Sequence, residues 1–212
     1  MIKEIDLDKD DIKKDFWSRL ISLFKTEKNI FLISDTHFDH KNIIRFCRRP
    51  FRSRGHMNYA LIKNWNNSID KNDIVFFLGD MVYGRGSRHI DYWLRRLKGK
   101  IYFVNGNHEM KSRIVKFYYK LIIKYNNKKF LLVHDPKDIP SSWREWVICG
   151  HHHNNRIKDH PFINGRTKMI NVGVELIGYS PLNINKLFDL DFEKIYFMKS
   201  INSRPIYNRF AN

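Results

Sequence analysis

The chain has 212 residues, a formal net charge of +17 and two cysteines, Cys47 and Cys149. Two isolated cysteines exclude a disulfide-stabilised scaffold, and no apolar run is long enough to span a bilayer. The mixed charges of the first residues argue against a signal peptide, so we expect a soluble, cytoplasmic protein without a membrane partner. The positive charge favours polyanionic partners. A genome biased toward lysine codons is the alternative source of the lysines.

One domain with two terminal extensions is the simplest division of this chain. Residues 8–25 place apolar side chains at intervals of four, which predicts an amphipathic helix with Asp8 or Asp10 as its N-cap. This helix belongs to the predicted N-terminal extension, residues 1–28. A C-terminal strand and tail is predicted over residues 189–212, which leaves residues 29–188 as the main domain.

Short apolar runs that end abruptly at polar residues recur along the main domain. Each run is too short for a helix and predicts a buried strand. The predicted strands are residues 30–34, 74–78, 100–104, 121–125, 129–133 and 146–149. Helices are predicted over 57–69 and 109–118, and the asparagines at 126 and 127 predict a hairpin turn. Strands that alternate with helices and then follow one another predict a mixed α/β sandwich rather than a doubly wound parallel sheet.

Metal-ligand residue types stand where these strands end. They are Asp35, His37, Asp80, Asn107, His108, His134, His151 and His153. Carboxylate oxygen combined with imidazole nitrogen suits a first-row divalent metal better than calcium. If the backbone stays extended, Asp35 and His37 project to one side, as do His151 and His153. A carboxylate such as Asp80 can bridge two cations and offset their repulsion, so the set is large enough for two metal ions.

These blocks, in this order, resemble the calcineurin-like metallophosphoesterase superfamily. The matching blocks are Asp35-Thr36-His37, Gly79-Asp80, Gly106-Asn107-His108-Glu109, His134 and Gly150-His151-His152-His153. The resemblance covers residues 30–188. Residues 34–44, 49–51 and 171–175 are similar to the small bacterial and phage-type members. The expected location is then the bacterial cytoplasm or, for a phage protein, the cytoplasm of its host.

The resemblance implies a four-layer α-β-β-α sandwich that holds two divalent metal ions. Metal one would be bound by Asp35, His37, Asp80 and His153, and metal two by Asp80, Asn107, His134 and His151. Mn²⁺ is the preferred ion, with Fe, Zn, Ni or Mg as alternatives. Two such ions lower the pKa of a bridging water, and the resulting hydroxide attacks phosphorus. His108 would be the catalytic imidazole, with Asp35 as the residue that orients it.

The basic segment after the first ligand loop is the predicted substrate contact. Arginine with interleaved aromatic residues is typical of phosphate-binding surfaces, although a solvated charged surface is the alternative. The predicted substrate-binding residues are His40, Asn42, Arg45, Arg49 and Arg52, and below them rank Tyr83, Arg85 and Arg88. Many relatives carry an Asp or Arg soon after the Gly-Asp block, whereas this chain has Met81-Val82-Tyr83-Gly84. Substrate contacts are therefore not transferred from those relatives.

The resulting hypothesis is a metal-dependent phosphodiesterase that acts on a nucleotide, a cyclic nucleotide or a nucleic-acid end. The preference for a diester rests on Glu109, which cyclic-nucleotide relatives share, and on the positive charge. A phosphomonoesterase acting on nucleotides or phosphoproteins is the alternative enzyme. A nucleic-acid-binding protein with a vestigial metal site is the alternative outside catalysis. The sequence leaves the oligomeric state open.

Overall fold

The computed structural model describes residues 2–8, 28–108 and 111–207. Its strands are β1 Lys3–Asp6, β2 Ile30–Ile33, β3 Ile74–Phe77, β4 Lys100–Val104, β5 Phe117–Tyr118, β6 Leu121–Tyr125, β7 Lys128–Leu132, β8 Trp146–Cys149, β9 Ile163–Asn164, β10 Met169–Asn171, β11 Leu182–Asn183, β12 Ile195–Met198 and β13 Ile206–Tyr207. Its α-helices are α1 Lys41–Phe46, α2 Arg54–Ser68, α3 Ile90–Leu94 and α4 Asn185–Asp189. Two short 3₁₀ helices cover Pro136–Asp138 and Phe192–Lys194.

The smaller sheet carries the first three ligand loops. Its strand order within the described residues is β11-β2-β3-β4-β5. Strands β2 to β5 run parallel, and β11 runs antiparallel to β2. All four residues of β2 are buried, as in parallel sheets that are covered on both faces. The carboxyl ends of β2, β3 and β4 therefore meet at one edge, where ligands bind in α/β sheets.

The larger sheet carries the remaining ligand loops. Its order in the described part of the chain is β1-β6-β7-β8-β10-β9-β12-β13. The β6–β7 hairpin turns at Asn126 and Asn127, whose φ angles are 50° and 58°. This left-handed conformation suits asparagine, so the predicted hairpin is confirmed. Strands β7, β8 and β10 run parallel, and the loops after β7 and β8 leave from the same edge.

The two sheets share one hydrophobic core. Alternate residues of the larger sheet, such as Phe130, Leu132 and Ile148, pack in the same cluster as the smaller sheet. The residues between them, including Leu131 and Val147, form a second cluster on the opposite face. Both faces of the central strands are thus covered. A mixed α/β fold built from two mixed sheets confirms the predicted fold class.

The helix predicted over residues 109–118 is wrong where the structure describes the chain. Residues 111–116 form a loop, and Phe117 pairs with Phe103 at the edge of the smaller sheet. The hydroxyl of Ser112 accepts hydrogen bonds from the backbone N–H groups of Ile114 and Val115. Because serine offers the backbone this local alternative, it competes with the helical hydrogen bonds. By contrast, α2 buries Met57, as its apolar spacing predicts.

Strands from both predicted terminal extensions lie in the larger sheet. Strand β1 pairs with β6, and β12 pairs with β9. Apart from its first residue, the predicted helix over 8–25 falls outside the described residues, and the division at residues 28 and 188 stays a prediction. Within the described ranges, no helix has the length and apolar character needed to cross a membrane.

Candidate metal centre

The carboxyl ends of the two sheets are joined at the site. Ser34, directly after β2, donates its backbone N–H to the carbonyl oxygen of Val172 at 3.0 Å. Val174 donates in turn to the carbonyl of Ser34 at 3.2 Å. Because Val172 follows β10 of the larger sheet, the ligand loops of the two sheets face one another across this bridge.

Two glycines allow those loops to approach closely. A Cβ atom on Gly106 would lie 2.3 Å from Oδ1 of Asp80, and one on Gly150 would lie 2.1 Å from Oγ of Ser34. A larger residue at either position would push the loops apart, so only glycine fits. The glycines of the Gly-Asn-His and Gly-His-x-His blocks therefore set the spacing between the ligands.

The first ligand cluster contains Asp35, His37 and His153. Oδ1 of Asp35 lies 4.0 Å from Nε2 of His37 and 3.8 Å from Nε2 of His153. These donor atoms are close enough to bind one metal ion. The cluster has the composition predicted for metal one.

The second ligand cluster contains Asn107, His134 and His151. Oδ1 of Asn107 lies 2.9 Å from Nε2 of His134 and 3.1 Å from Nδ1 of His151. The two imidazoles approach each other to 3.3 Å between His151 Nδ1 and His134 Nε2. This cluster has the composition predicted for metal two.

Asp80 stands between the two clusters. Its Oδ2 lies 3.6 Å from Nε2 of His37 in the first cluster and 3.5 Å from Nε2 of His134 in the second. One carboxylate oxygen thus faces both sets of donors. This is the position that a bridging ligand requires.

The ligands reach these positions from strained backbone, not from extended backbone. The φ angles are 61° at Asp35, 48° at His37, 58° at Asp80, 71° at His151 and 50° at His153. The expectation that the Asp35–His37 and His151–His153 pairs project from extended strand ends is therefore wrong. A left-handed residue other than glycine costs about 1–3 kcal/mol, and such residues concentrate at functional sites. Because of this turn, His153 lies in the first cluster and His151 in the second.

Unpartnered buried atoms show that a metal ion fits the first cluster. Oδ1 of Asp35 and both ring nitrogens of His37 are buried and have no hydrogen-bond partner in the described residues. A buried polar atom without a partner costs about 1–3 kcal/mol. A cation at this point would satisfy Oδ1 of Asp35 and one nitrogen of His37 together.

Hydrogen bonds behind the ligands orient two imidazoles in the same way. Nδ1 of His134 lies 2.7 Å from the carbonyl oxygen of Leu78, and Nδ1 of His153 lies 3.0 Å from Oε1 of Glu175. When Nδ1 donates its proton to these acceptors, Nε2 presents its lone pair to the cluster. This arrangement is typical of histidines that bind metals.

The carboxylates of the clusters carry negative charge that a bound cation would neutralise. Burial raises the pKa of Asp80, but contact with His134 and the charges of nearby imidazoles outweigh it and lower the pKa to about 2. Burial lowers the pKa of His134, whereas its interactions with Asp80 and Asp35 raise it to about 9. In the same way, Asp35 and Glu175 overcome burial and raise the pKa of His153 to about 11. A bound metal ion would replace the protons on these imidazoles. It would then neutralise the negative charge of the carboxylates in their place.

Known proteins with a similar sequence or fold identify the family of this centre. The domain model of the calcineurin-like phosphoesterase superfamily matches residues 29–177. The chain belongs to this superfamily. Protein MJ1445 of Methanocaldococcus jannaschii is 43% identical over 178 residues, which are 82% of this chain and 97% of MJ1445. Phosphoesterases are hydrolases, and this family is metal-dependent. The donor clusters described above are candidates for binding the metal.

One solved structure supports the same fold, and a second is more distant. The Aquifex aeolicus protein AQ665, described as a protein of unknown function, has a TM-score of 0.60 and 25% identity over 77% of this chain and 100% of that chain. An archaeal phosphodiesterase has a TM-score of 0.41 and 17% identity over 85% of this chain and 99% of that chain. The second similarity is too low to indicate a substrate for this phosphoesterase.

The predicted catalytic histidine lies beside the central carboxylate. The backbone N–H of His108 donates to Oδ1 of Asp80 at 3.1 Å, and its exposed imidazole packs 4.3 Å from the ring centre of Tyr83. The orienting role predicted for Asp35 has no contact to support it in the described residues. Oδ2 of Asp35 accepts the backbone N–H of His151 at 3.0 Å, and Oδ1 faces the first cluster. Asp80, rather than Asp35, is the carboxylate that holds His108.

Arg49 is not a substrate contact, and this prediction needs correction. Its side chain has a relative exposure of 0% and lies 2.7 Å from Oε1 of Glu175. It also donates to the backbone carbonyls of Asp35 at 2.7 Å and Thr36 at 2.8 Å. Because these guanidinium N–H groups are already hydrogen-bonded inside the protein, Arg49 holds the first ligand loop in place and does not bind a phosphate.

The other predicted substrate residues remain available at the surface. His40 lies near the first cluster, with its ring 5.5 Å from that of His37. Asn42, Arg45 and Arg52 are exposed. Their role in binding substrate stays a prediction.

Glu175 is the functional residue that the sequence reasoning missed. Its side chain is buried, and its Oε1 accepts from Arg49 and from Nδ1 of His153. Burial raises the pKa of Glu175, but the charges of Arg49 and His153 outweigh burial and hold it well below the usual range. Glu175 therefore links Arg49, which holds the first ligand loop, to His153 of the first cluster. The available signal was its place in the Asn-Val-Gly-Val-Glu block at 171–175.

Replacing Glu175 with Gln should weaken Mn²⁺ binding by about 10- to 100-fold, because outer carboxylates raise the basicity of the histidines that they orient. Isothermal titration of Mn²⁺ into both proteins measures the change. The matched control is Glu193→Gln, which removes an exposed carboxylate that pairs with Lys128. Unchanged affinity in Glu175→Gln would show that this contact does not support the metal ligand.

Replacing Arg49 with Met should lower the free energy of unfolding by about 3–5 kcal/mol, because it removes one partner of a buried ion pair. Urea denaturation of the metal-free protein measures this loss. The double variant Arg49→Met with Glu175→Gln should regain part of it, since the second change removes the unpaired charge. As a control, Arg52→Met changes an exposed arginine and should stay within about 0.5 kcal/mol. Similar losses at Arg49 and Arg52 would contradict the structural role of Arg49.

Proposed function

We propose that this protein is a cytoplasmic phosphodiesterase that hydrolyses an ester of a nucleotide, a cyclic nucleotide or a nucleic-acid end at two divalent metal ions, preferably Mn²⁺. The observation that carries the proposal is the position of Asp80. Its Oδ2 faces Nε2 of His37 at 3.6 Å and Nε2 of His134 at 3.5 Å. Two donor clusters that share one carboxylate are the arrangement expected of a dinuclear centre.

In the proposed hydrolysis, the residues of the protein have separate roles. When bound, two divalent cations supply a water of lowered pKa and neutralise the charge of the phosphate oxygens. Asp80, whose Oδ2 faces both clusters, would be the residue that the two metal sites share. In this proposal, the exposed imidazole of His108 donates a proton to the leaving oxygen. The backbone N–H of His108 donates to Asp80, which supports a position beside the two clusters. Asp35 stays buried in the first cluster.

Three features support a phosphodiester of a nucleotide as the substrate. The net charge of +17 favours a polyanion over a small neutral ester. The exposed residues Arg45 and Arg52 follow the first ligand loop. The third is Glu109, outside the described residues, through which the resemblance to the superfamily implies a diester preference.

Two synthetic substrates test the preference for diesters. With saturating Mn²⁺, bis(p-nitrophenyl) phosphate should be hydrolysed with a higher kcat/KM than p-nitrophenyl phosphate, and chelation should abolish both activities. Both reactions release p-nitrophenolate, so one absorbance assay compares them. Faster hydrolysis of the monoester would instead identify a phosphomonoesterase.

A further inference from the structure

A polar cavity lies beside the first ligand cluster. Its volume is about 460 Å³, within the range of small-molecule sites. Phe46, Arg48, Asn154, Asn155 and Lys199 line it. We call this space the flanking cavity, and neither the metal ligands nor the predicted catalytic residues belong to its walls.

The flanking cavity neighbours the metal centre. Asn154 directly follows the ligand His153, and its Nδ2 donates to the backbone carbonyl of Cys47 at 2.8 Å. On the other side, the ring of Phe46 lies 6.3 Å from that of His40. The ring of His40 in turn lies 5.5 Å from that of His37. His40 therefore lies between Phe46 of the cavity wall and His37 of the first cluster.

The walls of the flanking cavity combine an aromatic ring with amides. Phe46 is 55% exposed, and the guanidinium carbon of Arg45 lies 5.5 Å from the centre of its ring. Nucleobases stack on such rings. Asn154 and Asn155 belong to the same wall. The amide of Asn154 is used within the protein, since its Nδ2 donates to Cys47 and its Oδ1 is buried, whereas Asn155 is exposed. An exposed asparagine amide offers a donor and an acceptor to a base edge.

The charge of the flanking cavity is positive. Arg48 and Lys199 are both exposed and belong to its walls, and no acidic residue is found among the described residues that line it. Arg48 also adopts a φ of 49° just after α1, where glycine or asparagine is the usual residue. A lipid tail would pair with neither the two cations nor the exposed amide. A nucleoside with an attached phosphate has a group that matches the aromatic ring, the amide and the cations.

We propose that the flanking cavity binds the nucleoside next to the scissile phosphate, with the base stacked on Phe46 and the following phosphate held by Arg48 and Lys199. The proposal rests on the proposed phosphodiesterase function and adds the chemical class of the flanking group. The flanking cavity would then distinguish a nucleotide diester from a simple alkyl diester.

Two diesters with one leaving group test this proposal. Thymidine 5′-(p-nitrophenyl phosphate) and methyl p-nitrophenyl phosphate lose the same p-nitrophenolate and differ in the presence of thymidine. The protein should hydrolyse the thymidine ester with a higher kcat/KM. Phe46→Ala should lower that value about 10-fold, the size of one base-stacking contact, and leave the methyl ester unchanged. Phe46→Trp keeps a stacking surface and should retain the preference.

A binding measurement separates failure of this proposal from failure of the proposed function. Thymidine 3′,5′-bisphosphate, which carries both phosphates, can be titrated into the protein by calorimetry and should bind about 10-fold more weakly to Phe46→Ala and to Arg48→Met than to the unchanged protein. Tyr119→Ala, which removes another exposed aromatic residue, should not change the affinity. If neither diester is hydrolysed, the proposed function fails while this titration still tests the cavity. Hydrolysis of both esters with equal kcat/KM, insensitive to Phe46→Ala, would overturn the cavity proposal alone.

Discussion

Replacing Asp80 with Asn should reduce phosphodiester hydrolysis by about 10³-fold or more. Asparagine keeps the size of the side chain and can still accept the backbone N–H of His108. It removes the negative charge that faces His37 and His134 at 3.6 and 3.5 Å. Metal ions contribute several kcal/mol of transition-state stabilisation, and about 1.4 kcal/mol corresponds to a factor of ten in rate.

The measurement for Asp80→Asn is kcat with bis(p-nitrophenyl) phosphate at several Mn²⁺ concentrations. Asp70→Asn, which neutralises an exposed carboxylate near the start of β3, is the matched control and should keep full activity. Circular dichroism verifies that both variants are folded. Native turnover by Asp80→Asn at low Mn²⁺ would contradict a bridging role for this carboxylate.

Replacing His108 with Ala should lower kcat by about 10²- to 10⁴-fold for a substrate with a poor leaving group. A dinucleoside monophosphate releases an alkoxide, which needs a proton as the bond breaks. Methyl p-nitrophenyl phosphate releases p-nitrophenolate, a weak base that leaves without one. The loss should therefore be much smaller for the p-nitrophenyl ester.

Metal binding distinguishes this role of His108 from a structural one. Because His108 contributes no atom to either ligand cluster, Mn²⁺ affinity should not change in His108→Ala. His56→Ala removes another exposed histidine and should leave both activities intact. Equal losses for the two leaving groups would rule out proton donation by His108, and unchanged activity toward both would favour a vestigial centre.

The strand ends of the site were predictable because two simple rules act together. Apolar runs of four or five residues become buried strands, as in β2 and β3. Parallel strands place their carboxyl ends at one edge, so Asp35, Asp80 and Asn107 meet although they are far apart in the chain. Those rules do not specify backbone conformation, and the left-handed turns at the ligands could not be derived from residue types alone.

The roles of the arginines depend on contacts that no local pattern contains. Arg45 and Arg49 belong to the same basic segment, but Arg49 is buried because Glu175, 126 positions later, provides its partner. Neither residue by itself indicates that pairing. Strand β1 was missed for a similar reason, because Lys3–Asp6 is polar and forms a strand only by pairing with β6.

The number of Mn²⁺ ions bound per chain tests the dinuclear centre most directly. Protein purified without chelator, saturated with Mn²⁺ and dialysed free of excess metal can be measured by plasma mass spectrometry. The two clusters joined by Asp80 predict two ions per chain. A value of one or none would contradict the dinuclear centre on which the proposed hydrolysis depends.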